Sequence, residues 1–291
     1  MTDAVLLVSH GTVEDLADLE AFVTNVRRGH PPGAELVREL RRRYEAIGGR
    51  SPLNDVNARL AAKVGARLGV RTAWANRLWK PYTREVVQSL AGEGVTRVAV
   101  VPLAQHSAHV YAEDARAAAD GTGVLVATAP GWGQTPALLD AFARRIRGVL
   151  ADAERTTVVL SAHSLPRAVV DRGDPYEREV RAAAAEVSER LGPGVRAAVA
   201  FQSQGFGGGA WLGPDLPAVL DEAAARGDTR VVFAPIGFLA DHVEILYDLD
   251  VEAAALAAAR GMTSVRSPSL NDDDDLVDVL AGVARPLLAH G

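Results

Sequence analysis

Short apolar runs alternate with amphipathic segments along the whole chain, which predicts strands and helices in regular succession. Ala4–Val8 is apolar throughout, too short for a helix and without a polar face, so it reads as a strand buried on both sides. Val95–Pro102, Val124–Ala129, Thr157–Ser161, Val195–Phe201, Arg230–Pro235 and Thr263–Arg266 carry related patterns, and Arg71–Trp74 begins another strand. Between them the apolar residues fall at helical spacing. In Ala34–Ile47 they are Leu36, Val37, Leu40 and Tyr44, with arginines on the other face, and Gly48-Gly49 ends the helix. An acidic amphipathic segment (Glu14 to Val26) comes before it. The remaining predicted helices are Val56–Leu68, Pro81–Leu90, Ala112–Ala119, Pro136 to about Asp152, Pro175–Leu191, Leu216–Ala225, Glu244–Ala257 and Asp275–Leu288. Strands alternating with helices predict a doubly wound α/β fold with parallel sheets.

The pattern also repeats. Thr96-Arg97-Val98 and Pro102 are echoed by Thr229-Arg230-Val231 and Pro235, and without a gap Ala108-His109-Val110 falls on Asp241-His242-Val243. Trp79 and Pro81 pair loosely with Trp211 and Pro214, and Ser9-His10 answers Ala162-His163. Several matches in register predict a duplication. The expectation is two similar lobes, residues 1–146 and 147–291, facing a cleft with His10 and His163 on opposite walls. Under this pairing Glu244 replaces Tyr111, so the two halves carry different chemistry.

Charge and composition exclude several classes. A net charge of −6 lacks the basic footprint of a general nucleic-acid binder. Cysteine is absent, which removes disulfides, thiolate zinc sites and cysteine-ligated iron–sulfur clusters. The opening residues lack a signal-peptide pattern and no apolar run could span a bilayer, so a cytoplasmic protein without an integral membrane segment is expected. The glycine-rich stretch Gly205–Gly209 beside Trp211 does not open a helix after a strand in G-x-G-x-x-G form, and no P-loop occurs, which argues against a nucleotide.

Candidate chemistry concentrates in two stretches. Thr156–Pro166 reads as a buried strand running into His163, either a site residue beyond the carboxyl end where ligands of open α/β sheets bind, or a structural histidine in a helix-capping region or the core. In Pro235–Glu252 the carboxylates of Glu244, Asp248 and Glu252 recur every four residues. That spacing suits either a solvated acidic face or a ladder of oxygen ligands for a divalent cation. Paired with Glu244, His163 could ligate Fe²⁺, Co²⁺ or Zn²⁺ or accept a proton. A serine hydrolase is disfavoured, because Ser161 and Ser164 adjoin His163 and no G-x-S-x-G elbow exists. His106 and His109 lie just past the strand ending at Pro102, either as ligands or as structural residues, and His242 matches His109 in the repeat. Adjacent Arg27 and Arg28 could bind carboxylates bidentately or form a solvated turn.

Taken in order, S-A-H-S-L-P (161–166), G-D-P-Y (173–176), F-Q-S (201–203), W-L-G-P-D (211–215), P-I-G-F-L-A-D-H-V-E-I-L-Y-D-L-D (235–250) and P-S-L-N-D (268–272) resemble the signatures of the ferrochelatase family of class II tetrapyrrole chelatases. V-R-R-G (26–29) and R-Y-E-A-I-G-G-R-S-P-L (43–53) resemble the lip segment of its bacterial members. The resemblance implies two Rossmann-like lobes and insertion of Fe²⁺ into coproporphyrin III or protoporphyrin IX in heme biosynthesis, with no cofactor beyond the Fe²⁺ substrate. It implies His163 and Glu244 as catalytic residues. It also implies His163, Glu244, Asp248, Glu252 and His10 toward the metal, and His10, Arg27, Arg28, Ser51 and Trp211 toward the porphyrin. A monomer is expected, since duplication already supplies two lobes. His10 stands where bacterial relatives acting on coproporphyrin tend to have tyrosine. S-H-G-T (9–12) and A-H-V (108–110) resemble the sirohydrochlorin and cobalt chelatases, which keeps that activity as an alternative. A non-enzymatic tetrapyrrole or metal carrier is the third reading.

Overall fold

A computed structural model of the chain describes residues 3–151, 153–205 and 209–288. The elements run β1 (Asp3–Ser9), a 3-10 turn (Leu16–Asp18), α1 (Leu19–Val26), α2 (Ala34–Ala46), α3 (Leu53–Leu68), β2 (Arg71–Asn76), α4 (Thr83–Gly92), β3 (Arg97–Pro102), α5 (Ala108–Ala119), β4 (Leu125–Thr128) and α6 (Pro136–Val149). They continue with β5 (Thr156–His163), α7 (Arg167–Val170), α8 (Tyr176–Leu191), β6 (Arg196–Gln202), α9 (Leu216–Ala225), β7 (Arg230–Ala234), α10 (Val243–Leu246), a π-helical turn (Asp248–Ala253), α11 (Ala254–Ala258), β8 (Thr263–Arg266) and α12 (Asp274–Leu288).

The strands form two parallel four-stranded sheets of identical order, β2-β1-β3-β4 and β6-β5-β7-β8. Ala4–Val8 and Val158–Leu160 are buried on both sheet faces, which is why their sequences are apolar without alternation. In each sheet the order reverses between the first and third strands of the set. The loops that leave their carboxyl ends therefore diverge and open a crevice. His10 and the residues after β3 lie at that point of the first sheet, and His163 and the residues after β7 at that point of the second. The predicted doubly wound architecture is present twice, as two Rossmann-like lobes.

Two compact units divide the chain at Trp132/Gly133, with residues 271–291 returning to the first. The difference from a boundary at 146/147 has a packing cause. Helix α6 lies on α8 and β7 of the second unit, while α12 lies on α3 and β3 of the first. Arg59 and Lys63 of α3 fasten the entry to α12 by pairing with Asp272 at 3.0 and 3.3 Å.

Within the second unit, Ala162, Tyr176, Val180, Phe201 and Leu212 form an apolar cluster directly under the end of β5. The chain past His163 is then tied down. Ser164 N–H donates to the Gln202 carbonyl at 2.7 Å, its hydroxyl donates to the Leu212 carbonyl at 2.9 Å, and Leu212 N–H donates to the Leu165 carbonyl at 2.9 Å. Ser164 is thus a buried tether, in keeping with its reading as a turn residue rather than a nucleophile.

Candidate active site

Three side chains meet above the second sheet. Glu244 Oε2 lies 3.6 Å from His163 Nδ1 and 3.8 Å from His242 Nε2, in ion-pair range of both rings. His163 ends β5, and its backbone carbonyl accepts the Tyr176 hydroxyl at 2.8 Å. Glu244 sits in the first turn of α10, and its backbone carbonyl accepts the Gln202 amide at 2.9 Å. His242 is the extended residue capping that helix, with Nδ1 3.2 Å from the Ala240 carbonyl and its ring 5.1 Å from Phe238. The side chains of His163 and Glu244 are each 37% exposed, so the pair opens to solvent while its supports are buried. At 3.6 Å the carboxylate lies beyond hydrogen-bond distance of Nδ1 but close enough to attract a proton there, and a ring protonated on that side keeps its Nε2 electron pair for a proton or a cation.

The predicted single helix over Glu244–Ala257 is broken into α10, a π-turn and α11. Val251 and Glu252 N–H groups both reach the Tyr247 carbonyl, at 3.1 and 3.0 Å, so one extra residue is wound into the turn. Asp248 is buried and accepts from the Ser203 hydroxyl, and Ser203 reaches it from a left-handed backbone (φ 58°) at the end of β6. Glu252 is exposed. Carboxylates thus run from open solvent at Glu252 to burial at Asp248, with half-buried Glu244 facing the imidazoles. A purely solvated face would not bury Asp248. Among the described residues, no group of three His, Cys, Asp or Glu side chains converges at metal-holding distance.

Arg266, at the end of β8, braces this segment at two points. Its Nε and Nη2 grip Asp250 of the π-turn at 2.7 and 3.0 Å, and its Nη1 reaches Asp241, next to His242, at 3.1 Å. Ser269 adds a hydroxyl to Asp241 at 2.7 Å. Arg266 lies outside every motif, and although F-Q-S (201–203) contains Gln202 and Ser203, the motif gave them no role, because each acts across strands that only folding brings together.

The other candidates fall as follows. Trp211 belongs to the second unit, half-buried, bridged to Pro166 and packed against Gly205, where an added Cβ would meet its ring at 2.8 Å. Residues 206–208 of the glycine-rich stretch, and Asp152 at the predicted end of α6, lie outside the described residues. In the first unit, His10 is exposed, with Nδ1 3.5 Å from the Tyr111 hydroxyl and its ring edge-on to Phe22. Gly11 follows at φ 104°, where a Cβ would press on Asn76 and Trp79 at 3.1 Å. Arg27 and Arg28 are exposed at the end of α1, with Arg27 Nε donating to the His30 carbonyl at 3.2 Å. Ser51 is fully buried, its hydroxyl 3.4 Å from Leu53 N–H. His109 is exposed on α5, whereas His106 is buried, and burial pushes its imidazole down to about 4.

The chain matches the ferrochelatase family model over residues 2–287. It belongs to the ferrochelatase family. Similar members include a ferrochelatase of Herpetosiphon aurantiacus, 34% identical over 96% of this chain and 97% of that one. A coproporphyrin III ferrochelatase of Geobacillus kaustophilus is 32% identical over 97% of this chain and 95% of its own. Among solved structures, SirB from Bacillus subtilis with Fe³⁺ shares the fold at a TM-score of 0.64 and 18% identity, covering 99% of this chain and 96% of that one. No helix among the described residues of this family member is long and apolar enough to cross a membrane.

Proposed function

We propose that the chain is an enzyme that inserts Fe²⁺ into a porphyrin for heme formation, with coproporphyrin III as the first candidate substrate and protoporphyrin IX as the second. The observation that carries this reading is the His163–Glu244 pair at the switch point of the second sheet, 3.6 Å apart, in a chain that matches the family over residues 2–287. The exchange is not a redox step. Two pyrrole N–H bonds break, both electron pairs stay on nitrogen to form Fe–N bonds, and two protons leave. His163 takes the two pyrrole protons one after the other at Nε2, passing on the first before accepting the second, and Glu244 stabilises the positive charge the ring carries each time. The proton moves on to solvent through Asp248 and Glu252, and the hydrated cation exchanges water for carboxylate oxygen along the same line. His10, at the switch point of the first sheet, is proposed as a further metal-directed residue. Arg27 and Arg28 are proposed to pair with the porphyrin's carboxylates and Trp211 to line its binding surface, whereas the fully buried Ser51 has no surface to offer a substrate and holds the turn before α3 instead. The enzyme acts as a cytoplasmic monomer and needs no further cofactor.

The test is anaerobic metallation followed by absorbance, with coproporphyrin III, protoporphyrin IX and sirohydrochlorin in parallel. Iron incorporation into a porphyrin, with His163→Ala reducing turnover by roughly 10²- to 10⁴-fold, is the expected result. Wild-type turnover in that variant would remove His163 from the reaction. A preference for sirohydrochlorin is the second reading, favoured by a histidine rather than a tyrosine at position 10. Stoichiometric binding without turnover would point to a carrier.

A further inference from the structure

One residue of β6 touches the chain at both members of the His163–Glu244 pair. The strand is an edge of the second sheet, paired to β5 alone, and its register sets Gln202 directly beside His163. Side chains alternate between faces along a strand. Val159 of β5 and Ala200 of β6 share an apolar cluster with Ile245 and Leu249, whereas Ala162 and Phe201 cluster with Tyr176 and Val180 on the opposite face. His163 and Gln202 therefore lie on the face that carries α10, and with it Glu244. Two contacts of Gln202 use that placement. Its backbone carbonyl accepts Ser164 N–H at 2.7 Å, fixing the chain as it leaves His163, and its side-chain Nε2 donates to the Glu244 carbonyl at 2.9 Å. A carbonyl oxygen can only accept, so this contact also fixes which way the amide points. Oε1 is then buried with no hydrogen-bond partner among the described residues, in a residue 3% exposed.

We propose that Gln202 is the positioning residue of the pair, holding the backbone of Glu244 at a set distance from the end of β5 and so from His163. This deepens the chelatase reading and rests on it for the reaction served; the positioning itself rests on the geometry. The orphaned Oε1 separates this role from plain support of the fold. A buried acceptor without a donor destabilises the folded chain, and an apolar side chain of similar shape avoids that loss. Methionine is unbranched and adapts to irregular gaps, so it would fill this position at least as well. What the amide adds is direction. Helix α10 is four residues long, too short to hold its own first turn in place. The amide grips that turn at a backbone atom and leaves the Glu244 carboxylate to face the imidazoles. Ser203, the next residue, donates its hydroxyl to Asp248. The end of β6 thus anchors two successive carboxylate residues of the line, one through its backbone and one through its side chain.

The test is Gln202→Met in the full-length protein, read three ways. Tm should stay within about 4 °C of wild type or rise, because the variant removes an unsatisfied oxygen along with one hydrogen bond. Labelling with ¹⁵N-histidine reports the pair without turnover. The seven histidines are few enough to assign by substitution, with His163→Ala naming the signals that matter. Glu244→Gln shows how those signals move when the carboxylate is lost, and Gln202→Met should move them in the same direction. Unmoved His163 signals overturn the proposal. In metallation assays kcat should fall roughly 10- to 100-fold with the porphyrin KM kept, the scale of a reacting group misplaced by about 1 Å. Wild-type kcat overturns the proposal, as does a fall in kcat that only follows the loss of folded protein. Should Gln202→Met not fold, Gln202→Glu decides. It keeps the length and polarity but, once ionised, offers an oxygen where the Glu244 carbonyl needs a donor, so the same changes in signals and kcat are expected and their absence is refuting. Absence of metallation by wild type would refute the chelatase reading alone, and the His163 signals would still decide the positioning.

Discussion

Gly237→Ala should disable the enzyme from a position that carries no chemistry. Gly237 lies in the turn between β7 and Glu244, and its N–H donates to the Ser161 carbonyl at 3.0 Å. A Cβ built there would sit 2.5 Å from Ala162 Cβ and 2.7 Å from Ala162 Cα, against an optimum of about 3.5 to 4.0 Å for carbon pairs. About 1 Å must be found, and neither side can give it cheaply. Ala162 is completely buried in β5, a strand paired on both sides, and the next residue is His163. Overpacking of this kind costs about 1 to 3 kcal/mol. At roughly 2 to 4 °C per kcal/mol that lowers Tm by about 2 to 12 °C. Strain that relaxes by moving β5 away from the turn separates His163 from Glu244, and a misplacement of about 1 Å can cost on the order of 10²-fold in rate. The assay is a thermal melt beside initial metallation rates. Gly282→Ala is the matched control, on an exposed position of α12 with no atom within 4 Å of the new Cβ, and it should be neutral or stabilise by up to about 1 kcal/mol. Wild-type Tm and kcat in Gly237→Ala would refute the contact as the spacer of the pair.

Other expectations follow from the surrounding residues. Arg266→Ala should lower stability by about 2 kcal/mol, less than a fully buried ion pair because Asp250 is 37% exposed, and should raise the metal KM as the π-turn loosens. Arg266→Lys should not restore either value, since one ammonium cannot grip Asp250 through two parallel bonds while reaching Asp241; urea melts and metal titrations check both. Asp248→Asn keeps a partner for Ser203 but removes the charge, so metal KM should rise by roughly tenfold with the melting curve unchanged. His106 ties stability to pH. Its folded-state value is about 4 against a usual 6.5, so the unfolded chain binds the proton first as pH falls. The native state keeps its full margin above pH 6.5, loses about 2 kcal/mol by pH 5 and about 3 kcal/mol below pH 4. Denaturant melts across that range should show the slope, and His106→Gln should flatten it.

Much of this molecule is legible in its sequence, for definable reasons. Parallel strands buried on both faces must be apolar throughout, so β1, β3, β5 and β7 stand out without ambiguity. The duplication marks corresponding positions, although Trp79 falls beside Leu212 rather than Trp211 once Pro81 is aligned on Pro214. His163 is marked by its place at the end of a buried strand, Glu244 by the four-residue spacing of its carboxylates, and both by the motifs around them. Other features depend on long-range partners. Winding one extra residue after Tyr247 has no local signature, so three short helical pieces read as one helix. In sequence His242 is marked only as the repeat's match to His109, because its approach to Glu244 depends on how α10 begins. The short α7 escaped notice for lack of length. The choice of packing partner for α6 and α12 is invisible to periodicity, which sees only that each helix has one apolar face.

That choice matters most while the chain is being synthesised. The first sheet finishes at β4, yet α12, which lies on β3 beside α3, emerges only after residues 133–270 have been made. Until then buried-type surface on the first lobe lacks its cover. Closing that contact spans much of the chain, the kind of late, long-range pairing that slows folding and exposes intermediates to aggregation. A fragment cut between the two sequence halves would lack α12 on the first sheet and carry α6 away from the second. The chain is duplicated in sequence, but its folding units are not separable copies.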